Sequence, residues 1–351
     1  MSSLPFFRTF RFMYLCLISL GLIFAVSANE AQSEKETQNA NASTVPNAPK
    51  LTDAPKFANP VLHGINSADP EILYSEKTGK FYIYPTFTLN TFHAFSSDDL
   101  VNWKDEGPIL SLENVSWEDR YPWAPCIMEK KIDGEFRYFF YFCADLKIGV
   151  AVSDSPTGPF TDSGKPLIDF KPEGAHGVEI DPDVFTDPVS GKTYIYWGNS
   201  YLGMAELNDD FVTLKKETIR RLDVPGFFEG AHVFFRHGKY YLTWSENDAR
   251  SPDYRVRHAI SDSPAGPFRI PEQESLILSS RPEKNIYGTG HHSVVNLPGT
   301  DEWFIVYHRH IWPRPQNPWA REVCIDRMIF RPDGQIRVVE PTHEGIAPLG
   351  K

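Results

Sequence analysis

The chain has 351 residues and a formal net charge of −11, with 25 Phe, 15 Tyr, 8 Trp, 23 Gly and 29 Pro. Phosphate binding needs a basic surface, so this balance excludes nucleic acid as a partner, and no polybasic patch suits an anionic membrane. Aromatic runs and abundant turn formers point to an all-β fold, a class that often exceeds 250 residues as one domain.

Residues 1–28 read as a signal peptide. Arg8 and Arg11 precede an apolar run at 12–26, and Val26-Ser27-Ala28 offers a small-residue cleavage site. The run is short for a membrane span, so export with cleavage is preferred to an uncleaved anchor, and no span is expected in the mature chain. Leu15 before Cys16 argues against lipid attachment there. Residues 29–56 are polar and rich in Asn, Ser, Thr, Glu, Ala and Pro, as expected of a flexible linker. Cys126, Cys143 and Cys324 remain, too few and too scattered for a disulfide framework or a zinc site. A Cys126–Cys143 bridge stays open, with buried free thiols preferred.

From residue 57 to 351 short apolar strands alternate with glycine turns and aromatic strands. Thr78-Gly79-Lys80 leads into 81–84, Asp133-Gly134 into 136–142, Ser190-Gly191-Lys192 into 193–197, His237-Gly238-Lys239 into 240–244, and Pro298-Gly299-Thr300 into 303–307. Each is a hairpin signature.

The hairpins open on similar phrases: Ala-Asp-Pro-Glu-Ile at 68–72, Trp-Ala-Pro-Cys-Ile at 123–127, Ile-Asp-Pro-Asp-Val at 180–184, Glu-Gly-Ala-His-Val at 229–233 and Gly-His-His-Ser-Val at 290–294. A second phrase, Ser-Asp-Ser-Pro-Thr-Gly-Pro-Phe at 153–160, returns almost unchanged at 261–268. Repeats of about 50–60 residues in an aromatic all-β chain indicate propeller blades of four strands each, and five openings predict a five-bladed β-propeller. The first strand of every blade lines the central channel, so Asp69, Asp181, Glu229 and His291, taken as equivalent positions of their phrases, are expected to converge there. Asp-Pro also starts ordinary turns, but that reading leaves Glu229 and His291 unexplained.

At these residues the chain resembles the family 43 glycoside hydrolases, over a stretch from about residue 60 to the C-terminus. The resemblance implies Asp69 as general base, Asp181 as modulator of the acid's pKa, and Glu229 as general acid. It further implies Arg321 in Arg-Glu-Val-Cys-Ile as a substrate-binding residue and His291 near the axis as a substrate contact or a calcium ligand, with a hydrogen-bonded core histidine as the alternative; Trp123 suits either the apolar face of a sugar or the blade core. Cys126 stands where Asp is usual and Ala231 where Pro is usual. His308, Arg309 and His310 are suggestive but unassigned.

The chemistry points the same way. Inverting hydrolysis needs a protonated carboxyl at the leaving oxygen and a carboxylate about 6.5–9.5 Å away to activate water. The base must stay ionised, while the acid must keep its proton near neutral pH through burial or a neighbouring negative charge. No cofactor is implied for the chemistry, and a structural calcium is implied only through His291. The expected partner is a carbohydrate carrying terminal α-L-arabinofuranosyl or β-D-xylosyl residues, with galactofuranosyl as a lesser option. The alternatives are a non-catalytic sugar-binding propeller, which would lack a catalytic carboxylate, and a phosphorylase, which would gather Arg309, Arg314 and Arg321 around phosphate.

Overall fold

A computed structural model describes residues 59–87, 90–272 and 274–349, so the expected signal peptide at 1–28 and the whole of the expected linker at 29–56 lie outside the described residues. The described residues form five antiparallel sheets, each joined in sequence order. Blade one holds β1 (Ser67–Ser75), β2 (Lys80–Phe87), β3 (Thr91–Ser97) and β4 (Lys104–Ser111). Blade two holds β5 (Trp123–Ile132), β6 (Glu135–Ala144), β7 (Lys147–Ser153) and β8 (Thr161–Asp162). Blade three holds β9 (Asp183–Thr186), β10 (Thr193–Trp197), β11 (Leu202–Glu206) and β12 (Arg220–Leu222). Blade four holds β13 (Glu229–Arg236), β14 (Lys239–Glu246), β15 (Arg255–Ser261) and β16 (Leu276–Leu278). Blade five holds β17 (Gly290–Asn296), β18 (Trp303–His310) and β19 (Arg321–Met328).

The predicted hairpins are present. In β5–β6 the pair Ile132↔Glu135 leaves Asp133-Gly134 as a two-residue turn with φ of 51° and 89°. Positive φ at both positions is the turn whose twist matches the flanking strands, and Asp-Gly adopts it cheaply. The aromatic second strands fill the space between blades. Tyr84, Phe92 and Phe140 join blades one and two, Ile195 and Tyr141 blades two and three, and Tyr196 and Trp244 blades three and four. Tyr241 and Tyr307 join blades four and five, while Ile83 and Val306 join blade five back to blade one. Five apolar interfaces for five blades close the ring.

Each buried tyrosine also needs a partner for its hydroxyl. Tyr84 Oη donates to the Pro156 carbonyl at 2.8 Å, and Tyr196 Oη to the Pro264 carbonyl at 2.6 Å. Pro156 and Pro264 are the matching prolines of the two repeated Ser-Asp-Ser-Pro phrases. That repeat is therefore an acceptor site for the preceding blade's tyrosine.

The fifth blade departs from the expected four strands, having three. Its outer edge is covered by the start of the described chain: the Val61 amide donates to the Val323 carbonyl at 2.8 Å, and the Ile325 amide donates to Asn59 Oδ1 at 2.8 Å. Pairing the two ends of the domain fastens the ring and removes an open sheet edge.

Candidate active site

One residue in each opening phrase adopts left-handed backbone: Asp69 (φ 46°), Ala124 (38°), Asp181 (59°), Gly230 (60°) and His291 (41°). In β1, β5, β13 and β17 the ladder bulges at this point. A bulge re-aims a side chain, and here it presents the affected residue to the channel. Asp and His tolerate this conformation better than most residues, and Gly tolerates it freely.

The geometry corrects one equivalence. Glu229 pairs with Ser245 as Ala68 pairs with Thr86, Trp123 with Cys143 and Gly290 with His308. The residue matching Asp69, Asp181 and His291 is therefore Gly230, and Glu229 stands one position earlier. Its longer side chain reaches the same cavity from there.

That cavity has a volume of about 920 Å³, and its walls include Asp69, Trp123, Asp181, Glu229, His291 and Arg321. All six sequence-predicted site residues thus meet in one place. The three carboxylates are buried, whereas Trp123 is 36% exposed and lies 5.0 Å, ring to ring, from Tyr121.

The three carboxyl groups have different surroundings. Asp69 Oδ1 lies 3.0 Å from Arg321 Nη1, 3.3 Å from His291 Nδ1 and 3.2 Å from His308 Nδ1. Burial alone would raise its pKa, but the Arg321 guanidinium, the foremost of its charged neighbours, holds it well below the usual carboxylate range. Asp181 Oδ2 accepts the Gly230 amide at 3.1 Å. Burial, then the charges of Glu229 and Asp69, push Asp181 well above that range. Glu229 Oε1 accepts from Tyr254 Oη and Oε2 from Asn199 Nδ2, both at 2.7 Å. Burial raises Glu229 to about 7 despite these two bonds, and the Asp69 charge adds to the rise. Asp181 and Glu229, as an interacting pair, are thus shifted toward holding a proton, while Asp69 is shifted toward the ionised form.

His291 is driven toward the neutral form by burial, and His308 more strongly, down to about 3. Below His291 an axial cavity of about 20 Å³, the size of one water or small ion, is lined by Glu71, Asp183, His232 and His292 among others. Calcium wants six to eight oxygen ligands. Here Asp183 is committed to His232 Nδ1 at 2.9 Å and the Val233 amide at 2.8 Å. Among the described residues no cluster of three or more His, Cys, Asp or Glu is arranged to hold a metal. This donor set does not fit a calcium shell at His291.

Cys126, Cys143 and Cys324 are buried free thiols. Cys143 Sγ accepts the Asp181 amide and Cys126 Sγ the Val184 amide, each at 3.2 Å. Of the three arginines that would gather around phosphate, only Arg321 lines the cavity. Arg309 is bound to Glu322 Oε1 at 2.7 Å, and Arg314 to the Arg250 carbonyl at 2.8 Å. Tyr254, Asn199 and Trp319 were not legible as site residues. They reach the cavity region from connections between strands, and no spacing rule ties them to the opening phrases.

The chain matches the family model for glycosyl hydrolases family 43 over residues 57–336. It is 33% identical over 358 residues to a beta-D-galactofuranosidase of Aspergillus niger, covering 94% of this chain and 95% of that one. It is 28% identical to a xylosidase/arabinosidase of Bacteroides ovatus, covering 81% of this chain and 98% of the relative. Among solved structures, a family 43 arabinoxylan arabinofuranohydrolase of Bacillus subtilis, in complex with cellotetraose, superposes with a TM-score of 0.71 at 26% identity, covering 84% and 70% of the two chains. Five blades, convergent carboxylates and these likenesses agree: the chain belongs to glycosyl hydrolases family 43.

Proposed function

We propose that this protein is an exported, inverting exo-glycosidase that releases terminal α-L-arabinofuranosyl or β-D-xylosyl residues, with Asp69 as base, Glu229 as acid and Asp181 as modulator. The observation that carries this reading is the split among the carboxyls of one cavity: Asp69 is ionised against Arg321, while Glu229 is raised to about 7. Pairs of titratable groups pushed apart in this way mark acid and base.

In this mechanism Glu229 gives its proton to the glycosidic oxygen as the bond to the anomeric carbon breaks. Asp69 takes a proton from water, whose oxygen attacks the anomeric carbon from the opposite face. The bonding electrons leave with the protonated alcohol, and one displacement inverts the centre. Arg321 keeps Asp69 ionised and offers further donors to sugar hydroxyls. Trp123, exposed at the wall, suits the apolar face of a sugar. The chemistry runs on side-chain acid–base groups and needs no cofactor.

The Aspergillus niger relative gives galactofuranosyl substrates a place as a second reading. Nitrophenyl α-L-arabinofuranoside, β-D-xyloside and β-D-galactofuranoside assayed side by side separate the two. Proton NMR of the first-formed sugar tests the mechanism: an inverted anomer is expected, and a retained one overturns it. Export rests on the N-terminal pattern at 1–28; the N-terminus of the mature protein, sequenced from culture medium or periplasm, tests it.

A further inference from the structure

Tyr254 precedes β15 and is fully buried. Its ring stacks on His308 with centroids 5.5 Å apart and planes 9° from parallel. On another side it lies against Gly290, where any Cβ would overlap the Tyr254 ring. The ring thus packs against two paired residues of blade five, and its hydroxyl reaches Glu229 Oε1 of blade four at 2.7 Å. Asn199 Nδ2 holds the other oxygen at 2.7 Å. With both oxygens held, the carboxyl has lost its freedom to rotate about its terminal bond.

The two donors are not equivalent. The Asn199 amide nitrogen can only donate, whereas a phenol donates to a carboxylate or accepts from a carboxylic acid. The hydroxyl therefore keeps a partner for Glu229 in both protonation states. A bond donated to the ionised form favours that form and opposes the effect of burial.

We infer that Tyr254 is a positioning residue for the acid: its hydroxyl fixes the Glu229 carboxyl and sets the pH at which that carboxyl gives up its proton. The inference deepens the hydrolase reading and rests on it. His308, which carries the Tyr254 ring, also sits 3.2 Å from the Asp69 amide nitrogen. One stack therefore supports both the proposed acid and the proposed base.

The test is the pH dependence of kcat/KM on phenyl α-L-arabinofuranoside and phenyl β-D-xyloside, whose leaving group needs protonation more than nitrophenol does. Tyr254→Phe keeps the ring and removes the hydroxyl. Its alkaline limb should move to higher pH by about one unit, as expected for losing one hydrogen bond to a charged group. Its kcat should fall about tenfold with KM little changed, because assistance from a misaligned acid weakens. Site-specific fluorotyrosine at 254, a more acidic phenol and a stronger donor, should move the limb the opposite way. It keeps ring and hydroxyl, so it carries the test alone if Tyr254→Phe does not fold. Alkaline limbs that stay at the parental position in the folded variants overturn the inference. Glu229→Gln on the same substrates separates the two levels. If that variant keeps parental turnover, the assignment of Glu229 as the acid fails; if it is crippled while the Tyr254 variants are unmoved, only the role of Tyr254 is lost.

Discussion

Arg321 Nη1 and Asp69 Oδ1 are 3.0 Å apart, yet the two residues are separated by 252 positions in sequence. Asp69 lies on the first strand of blade one and Arg321 begins the last strand of blade five, so the contact bridges the seam where the ring closes. The same closure that completes the fold thus delivers the charge that keeps Asp69 ionised.

Arg321→Gln should raise the Asp69 pKa, because burial then acts with less opposition. The acid limb of kcat/KM should move to higher pH, and activity at neutral pH should fall about 10²-fold or more. Arg321→Lys keeps a charge without the planar fork, so it should move the limb less while still losing substrate affinity. Breaking a buried ion pair costs about 3–5 kcal/mol, so Arg321→Gln should also melt at a lower temperature. pH–rate profiles and thermal melts check both expectations.

Asp181→Asn should act on the other limb. Asp181 and Glu229 hold a proton as an interacting pair, whose apparent pKa values belong to both. With the Asp181 carboxyl gone, Glu229 no longer shares a proton with a second acid, and its ionisation does not place two negative charges side by side. The alkaline limb should therefore move to lower pH, with a loss of about 10- to 10²-fold at neutral pH. An asparagine carbonyl can still accept the Gly230 amide, so melting should change little.

The five-bladed fold and Asp69, Asp181, Glu229, His291 and Arg321 were legible because they sit in phrases repeated at blade spacing, or in a family motif. The exact position of Glu229 was not. Text alignment matched it to Asp69, whereas the bulged register gives that place to Gly230, since only backbone conformation distinguishes them. Tyr254 and Asn199 were also out of reach. Each lies in a connection between strands, and such segments approach the axis by local turns that carry no period. The three-stranded fifth blade escaped for a similar reason: its edge partner, 59–61, is remote in sequence and too short to show strand patterning.

Glu71 lines the axial cavity, and its folded-state pKa is about 8 against an ordinary 4.5, chiefly through burial. Below about 4.5 both folded and unfolded chains hold its proton. Between about 4.5 and 8 the folded state holds more of it, so the stability this group contributes falls as pH rises through that window. Glu71→Gln, an isostere of the protonated form, does not titrate. The melting temperature of the variant minus that of the parent should be near zero around pH 4.5 and grow more positive toward pH 8. Taking the difference cancels the groups that do not interact with Glu71, whereas His232 and Asp183, which do, enter the same difference. A difference flat across this window would mean that Glu71 is ionised in the folded protein.

The roles proposed for Glu229 and Asp69 separate by leaving group. Protonation carries much of the barrier when the departing alcohol is a poor leaving group, and little when it is an activated phenol. Glu229→Gln keeps the contacts with Asn199 and Tyr254 within reach but has no proton to give. It should therefore lose about 10²–10⁴-fold on arabinoxylo-oligosaccharides, and far less on 4-nitrophenyl or 2,4-dinitrophenyl glycosides. Asp69→Asn removes the group that activates water, a step both substrates share, so it should damage both to a similar degree. Azide offers a further check. As a small anion that needs no general base, it should restore turnover to Asp69→Asn on the activated substrate, giving a glycosyl azide, and should leave Glu229→Gln on oligosaccharides unchanged. If both variants fold and keep near-parental rates on both substrates, the acid–base assignment fails and the hydrolysis runs on other groups of the cavity.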